Sequence, residues 1–233
     1  KLVALSTKGC RDSIEHFLKI QPNNFCTKPT DISDLALWFK ADSGVIVQGD
    51  TVEQWKDLSG QDKDLYQNTI DNQPLFVDSI ADLNYLPVVR FDGSNDVLLL
   101  DSAITVGSVF VVLNWGGGGV NFPQYNGVLS QQLYAPGKVI LLANPGTSDL
   151  YAASTSFFKS NEHYVNAINT KNLNPIEKYK IISGVGSQTE SLNDFIVGRE
   201  TNTMSRHWNG DIAEIIVYSS LLTDFEREQV VQY

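Results

Sequence analysis

From Asp31 to Tyr233, short runs of β-branched, aromatic and leucine residues alternate with clusters of Gly, Asn, Asp and Pro. This pattern predicts strands over 35–40, 87–91, 97–100, 108–114, 139–143, 178–182, 195–197 and 212–218. Many short strands with no long helical pattern between them imply a sandwich or barrel rather than alternating βα units. The segment Phe91-Asp92-Gly93-Ser94-Asn95-Asp96 is rich in residues that tolerate positive φ and bond their own backbone, so it predicts a tight hairpin. Near the end, Thr223-Asp224-Phe225-Glu226 is a capping box and predicts a helical turn or two after it.

The first thirty residues follow another pattern. Asp12-Ser13-Ile14-Glu15 has the form of a helix start, Ile14, Phe17 and Leu18 then share one face, and Gln21-Pro22-Asn23-Asn24 ends the run. Residues 1–30 therefore read as an appendage with one short helix, and 31–233 as the main domain. Cys10 and Cys26 are the chain's two cysteines, and they fit neither a zinc motif nor a CxxC pair. Two readings stay open for them. A bridge would clamp the appendage, stabilise the fold by about 3 kcal/mol through chain entropy, and point to an oxidising compartment; otherwise they are unlinked thiols.

Charge narrows the field of partners. With 17 basic and 27 acidic residues the net charge is -10, and no Lys/Arg cluster is present to release counterions from a phosphate backbone, which argues against nucleic acid. The longest apolar stretches, 108–115 and 138–143, are far shorter than the roughly 20 residues of a spanning helix, so membrane insertion is not expected. The chain starts at Lys1 without a leader pattern, which reads as an internal or processed start. No Asn-x-Ser or Asn-x-Thr acceptor occurs, which favours a bacterial or viral setting over a glycosylated ectodomain.

The order of motifs carries a family resemblance. Leu35-Ala36-Leu37-Trp38-Phe39-Lys40-Ala41-Asp42-Ser43-Gly44-Val45, Val52-Glu53-Gln54-Trp55-Lys56-Asp57-Leu58-Ser59-Gly60 and Leu86-Pro87-Val88-Val89-Arg90-Phe91-Asp92-Gly93 occur in sequence, before a closing Trp208-Asn209-Gly210-Asp211-Ile212-Ala213-Glu214-Ile215-Ile216-Val217-Tyr218. In that order they resemble LamG-like, concanavalin A-like lectin domains of bacterial and viral surface proteins. The resemblance runs from about Asp31 to Tyr233 and implies an all-β, two-sheet antiparallel jelly-roll sandwich. It implies lectin-like or adhesive function, or a structural place in a virion or phage appendage, in an extracellular, cell-surface or virion location. In physical terms, Trp38, Phe39 and Trp55 suit a thick core, and Asp57 and Asp92 suit turns whose amides they accept from.

Catalytic constellations are sparse. Jelly-roll glucanases of this group place two catalytic glutamates in a Glu-x-Asp-x-x-Glu strand, with carboxylates about 5 to 5.5 Å apart for retention. That motif is missing here, and the nearest approach, Asp211-x-x-Glu214, has an odd spacing that predicts opposite faces of a strand. No Gly-x-Ser-x-Gly elbow occurs, and His16, His163 and His207 stand in separate contexts. The four glycines at 116–119 lack the Lys-Ser/Thr and helix of a phosphate loop. The expectation is a non-enzymatic protein, with a divergent polysaccharide-cleaving enzyme as the remaining catalytic reading.

Two clusters suit ligands. Asn114, Trp115, Asn121, Phe122, Gln124, Tyr125 and Asn126 set aromatic faces beside amides, a pairing that fits the C–H faces and hydroxyls of a glycan; equally, the aromatics would anchor a long loop. Asp92, Asn95 and Asp96 offer hard oxygens for a Ca²⁺ ion, or form a hydrogen-bonded turn. The partners expected are a glycan or cell-surface ligand, or neighbouring subunits of an assembly.

Overall fold

The computed structural model describes residues 27–133, 138–151, 157, 162–201 and 206–233, with the backbone of 2–5 and 11–14. Its strands are β1 (Leu2–Leu5), β2 (Arg11–Ile14), β3 (Leu35–Lys40), β4 (Val45–Gln48), β5 (Thr51–Trp55), β6 (Leu65–Tyr66), β7 (Leu75–Ile80), β8 (Leu86–Asp92) and β9 (Leu98–Leu100). They continue with β10 (Ile104–Leu113), β11 (Gly127–Ser130), β12 (Val139–Ala143), β13 (Leu150–Tyr151), β14 (His163–Val165) and β15 (Ile168–Asn169). The last are β16 (Lys180–Leu192), β17 (Phe195–Val197) and β18 (Asn209–Tyr218), before helix α1 (Asp224–Gln232).

The chain is predominantly β and antiparallel. Apart from a separate β1–β2 pair, the strands form one path, β13-β12-β11-β17-β9-β6-β5-β7-β8-β18-β10-β16-β14-β15, with β3 added on β18 and β4 on β5. Residues from both halves of this path share one core: Val128, Leu129, Ile140 and Val197 belong to the same cluster as Leu37, Phe39, Val109, Ile215 and Val217. The alternate residues of β3, β10 and β18 meet a second cluster. Trp38, Phe110, Ile216 and Tyr218 lie there with Val230 of α1. β10 and β18 are thus apolar on both faces, which explains their unbroken runs of hydrophobic residues.

The helix begins where the capping box placed it. Glu226 N donates to Thr223 Oγ1 at 3.3 Å and Thr223 N to Glu226 Oε2 at 2.8 Å. Residues at the border of the N-terminal segment attach to the same region, since Tyr218 Oη donates to Pro29 O at 2.9 Å and Gln229 Nε2 to Thr27 Oγ1 at 3.1 Å.

Three expectations require correction. Arg11–Ile14, expected to open a helix, is a strand paired with Leu2–Leu5, so its amides bond across strands rather than along the chain; the remainder of that expected helix, and Cys10 and Cys26, lie outside the described residues. The 91–96 turn is no hairpin: β8 pairs with β7 and β18, whereas β9 pairs with β6 and β17. The turn instead carries the chain between two regions of the sheet. Finally, Asp211 and Glu214 do not follow simple alternation. The register with β10 slips between Glu214 and Ile212, leaving Ala213 as an extra residue, and Ile212 and Ile215 both enter the main core. This bulge resets the phase, so Asp211 and Glu214 both point away from that core.

Candidate functional site

The 206–211 segment is where the two sequence-predicted clusters meet. β18 starts at Asn209, directly across from Asp92 at the end of β8. Gly116 N donates to Asn209 O at 2.8 Å, and Asn126 Nδ2 donates to His207 O at 2.5 Å. On the other side, His207 Nδ1 lies 3.3 Å from Asp96 O. Gly210, at φ +150°, allows this crowding: a Cβ there would stand 2.2 Å from the Asn114 carbonyl oxygen. The 92–96 turn and the 114–126 loop are therefore fastened to one strand entry.

Aromatic packing holds the loop from below. Trp115 and Phe122 are buried and meet edge-on at 5.2 Å, and Trp208 packs 5.2 Å from Trp115 and 6.1 Å from Phe122. Trp115 Nε1 donates to Gly118 O at 3.0 Å, which pins the glycine run to the ring. Two of the predicted ligand aromatics are thus anchors, with no face free for a sugar. Asn126 is also buried, and Asn114 accepts from Asp211 N at 3.0 Å, so these amides brace the backbone. Asn121 and Gln124 remain exposed and Tyr125 is half-buried, with the Arg206 guanidinium 4.9 Å from its ring centroid. Arg206 is itself held by Glu200 at 2.7 Å.

At the predicted metal cluster, oxygens are already engaged by backbone amides. Asp92 Oδ1 accepts from Ser94 N at 2.7 Å and Asn95 N at 3.3 Å, and Asp96 Oδ2 accepts from Asp92 N at 2.8 Å. Asn95 Nδ2 donates to Asp71 O and to Asn72 Oδ1. This is a hydrogen-bonded turn. Among the described residues, no group of three or more His, Cys, Asp or Glu is arranged to hold a metal ion.

Burial dominates the electrostatics. It pushes the Asp96 carboxyl up to about 7, against the lowering effect of the Asp92 amide. His207 beside it is lowered, first by burial, with the Asp96 carbonyl opposing. Along the neighbouring stretch of β18, Arg90 grips Asp211 in a two-bond fork at 2.6 and 2.9 Å, and the Tyr179 hydroxyl donates to the same carboxylate. That fork raises the Arg90 pKa, and burial raises Tyr179. Glu214 has other partners, Trp38 and Tyr233.

Sequence reasoning missed Arg206, His207 and Arg90 as members of this end of the molecule. Trp208-Asn209-Gly210 was legible only as a closing strand motif; nothing local indicates that it collects two loops lying about a hundred residues earlier. Comparison of the chain with family models, curated proteins and solved structures finds no match. Among the described residues, no helix is long and apolar enough to cross a membrane.

Proposed function

We propose that the chain is a non-enzymatic binding module, a two-sheet jelly-roll sandwich of the LamG-like, concanavalin A-like kind. Its loop end takes a glycan or another surface ligand at a cell surface, on a secreted adhesin or on a virion. A core shared by distant parts of the strand path supports the sandwich reading. The observation carrying the binding reading is the half-buried Tyr125 ring, stacked by Arg206 and preceded in sequence by exposed Asn121 and Gln124. A planar ring with amides nearby matches the apolar faces and hydroxyls of a sugar, and the buried Trp115–Phe122–Trp208 group that anchors the same loop limits the ordering cost of binding.

A glycan array tests this reading directly. Saturable binding is expected, weakened about tenfold or more in Tyr125→Ala, a change equivalent to losing about 1.4 kcal/mol. Undiminished binding in that variant, or no binding to any glycan, would refute the site.

A second reading, a structural module contacting neighbouring subunits, draws on a different observation. Tyr85 is 74% exposed and Leu86 49%, at the β7–β8 connection, with Leu75 at the other end of that pair also exposed. Apolar side chains of this kind suit a protein contact. Size-exclusion chromatography with light scattering separates the readings: a stable oligomer inert to sugars favours the scaffold, and a sugar-binding monomer favours the lectin.

A further inference from the structure

Between helix α1 and strands β10, β16 and β18 is a partly open cavity of about 110 Å³, walled in part by Phe110, Ile181, Ile216 and Val230. Glu214 and Tyr233 are the polar side chains of its lining. Glu214 Oε1 already accepts from Trp38 Nε1 at 2.6 Å and from the Tyr233 hydroxyl at 2.5 Å. No described residue donates to Oε2. Lys40, the cross-strand partner of Glu214, turns its ammonium to Asp42 at 3.3 Å and over the Tyr233 ring at 5.9 Å. The result is a carboxylate with one unshared oxygen beside an aliphatic and aromatic chamber.

We propose that this chamber binds a small organic cation, a primary ammonium with a short alkyl body, whose nitrogen donates to Glu214 Oε2. Charge complementarity selects the cation. An anion would meet the carboxylate as a like charge, and a neutral apolar guest would displace water from it without supplying a donor. An ammonium brings three donors and no acceptor, forms a charge-assisted bond, and has the Tyr233 and Phe110 rings available to its flanking carbons. The partly open pocket of about 110 Å³ has room for a short alkyl body of about four carbons. Burial raises the Glu214 pKa, while Tyr233, Trp38 and Lys40 oppose the rise; a bound cation would act in their direction.

The site is separate from the loop end, so its test stands apart from glycan binding. n-Butylamine is titrated into the 233-residue chain by calorimetry and by amide NMR, beside n-butanol and butyrate. Expected are saturable binding, at least about tenfold tighter for the amine, and shifts centred on Glu214, Tyr233 and α1. Glu214→Gln retains an acceptor for Trp38 and Tyr233 and should weaken the amine about tenfold; Val230→Phe, which fills the cavity, should abolish binding while dichroism stays unchanged. Failure of the amine to saturate, equal affinity for butanol, or full affinity in Glu214→Gln overturns the proposal.

Discussion

Asp96 is only 6% exposed, and among the described residues its carboxylate accepts one hydrogen bond, from Asp92 N. Its carboxyl is displaced upward to about 7. Between the ordinary carboxylate range near pH 4 and that value, the folded state retains a proton that the unfolded chain releases, so this group's contribution to stability falls as pH rises. Asp96→Asn keeps an oxygen for the Asp92 amide and removes the titration. The variant's melting temperature relative to the parent should therefore climb from pH 4 to pH 8; a difference that is constant with pH contradicts the assignment. The anchoring role of Trp115 gives a second contrast at this scale. Trp115→Ala should destabilise by about 3–5 kcal/mol as a core truncation, whereas Tyr125→Ala should stay within about 1 kcal/mol, as urea unfolding will measure. These contrasts could not be drawn from sequence, where Trp115 and Tyr125 offer the same chemistry and only packing separates anchor from surface.

Elements whose own residues determine them were legible. β3, β12 and β17 occupy the predicted 35–40, 139–143 and 195–197 because each is an apolar run bounded by polar or turn residues. β16 extends to Leu192, well past the predicted 182, through the largely exposed Ser187–Ser191; cross-strand pairing of Thr105 and Val106 with Ser191 and Glu190 keeps it extended where composition gives no sign. β4 and β7 escaped for a related reason. Their residues are mostly exposed or half-buried, and their extension comes from the partners β5 and β8. The α1 capping box was readable because both partners lie within one turn. Thr223→Ala should cost about 1 kcal/mol, seen as a lower urea midpoint, with local exchange rising in 224–227. At the β18 entry, Gly210→Ala would set a Cβ against the Asn114 carbonyl and should destabilise by about 1–3 kcal/mol. An equal midpoint for that variant would mean that the loop and the strand are not in such close contact.

On the scale of the whole molecule, the fold class could be read from the alternation of short apolar runs, but the path through the sheet could not. Strands β8 and β9 are neighbours in sequence and part company in space, while β18 joins β3, β8 and β10 from distant positions. That convergence turns two separate sequence clusters, at 92–96 and 114–126, into one end of the protein supported by 206–211. The candidate site was accordingly half legible. Its residue types were visible, but the division into buried anchors (Trp115, Phe122, Asn126) and outward groups (Asn121, Gln124, Tyr125) depends on Trp208 arriving from far along the chain. The central claim is that the outward groups, on this fixed base, form the binding surface. Amide hydrogen exchange with and without the tightest array glycan tests it most directly: protection confined to 121–126 and 206–209 is predicted, and protection elsewhere with these segments unchanged would contradict it.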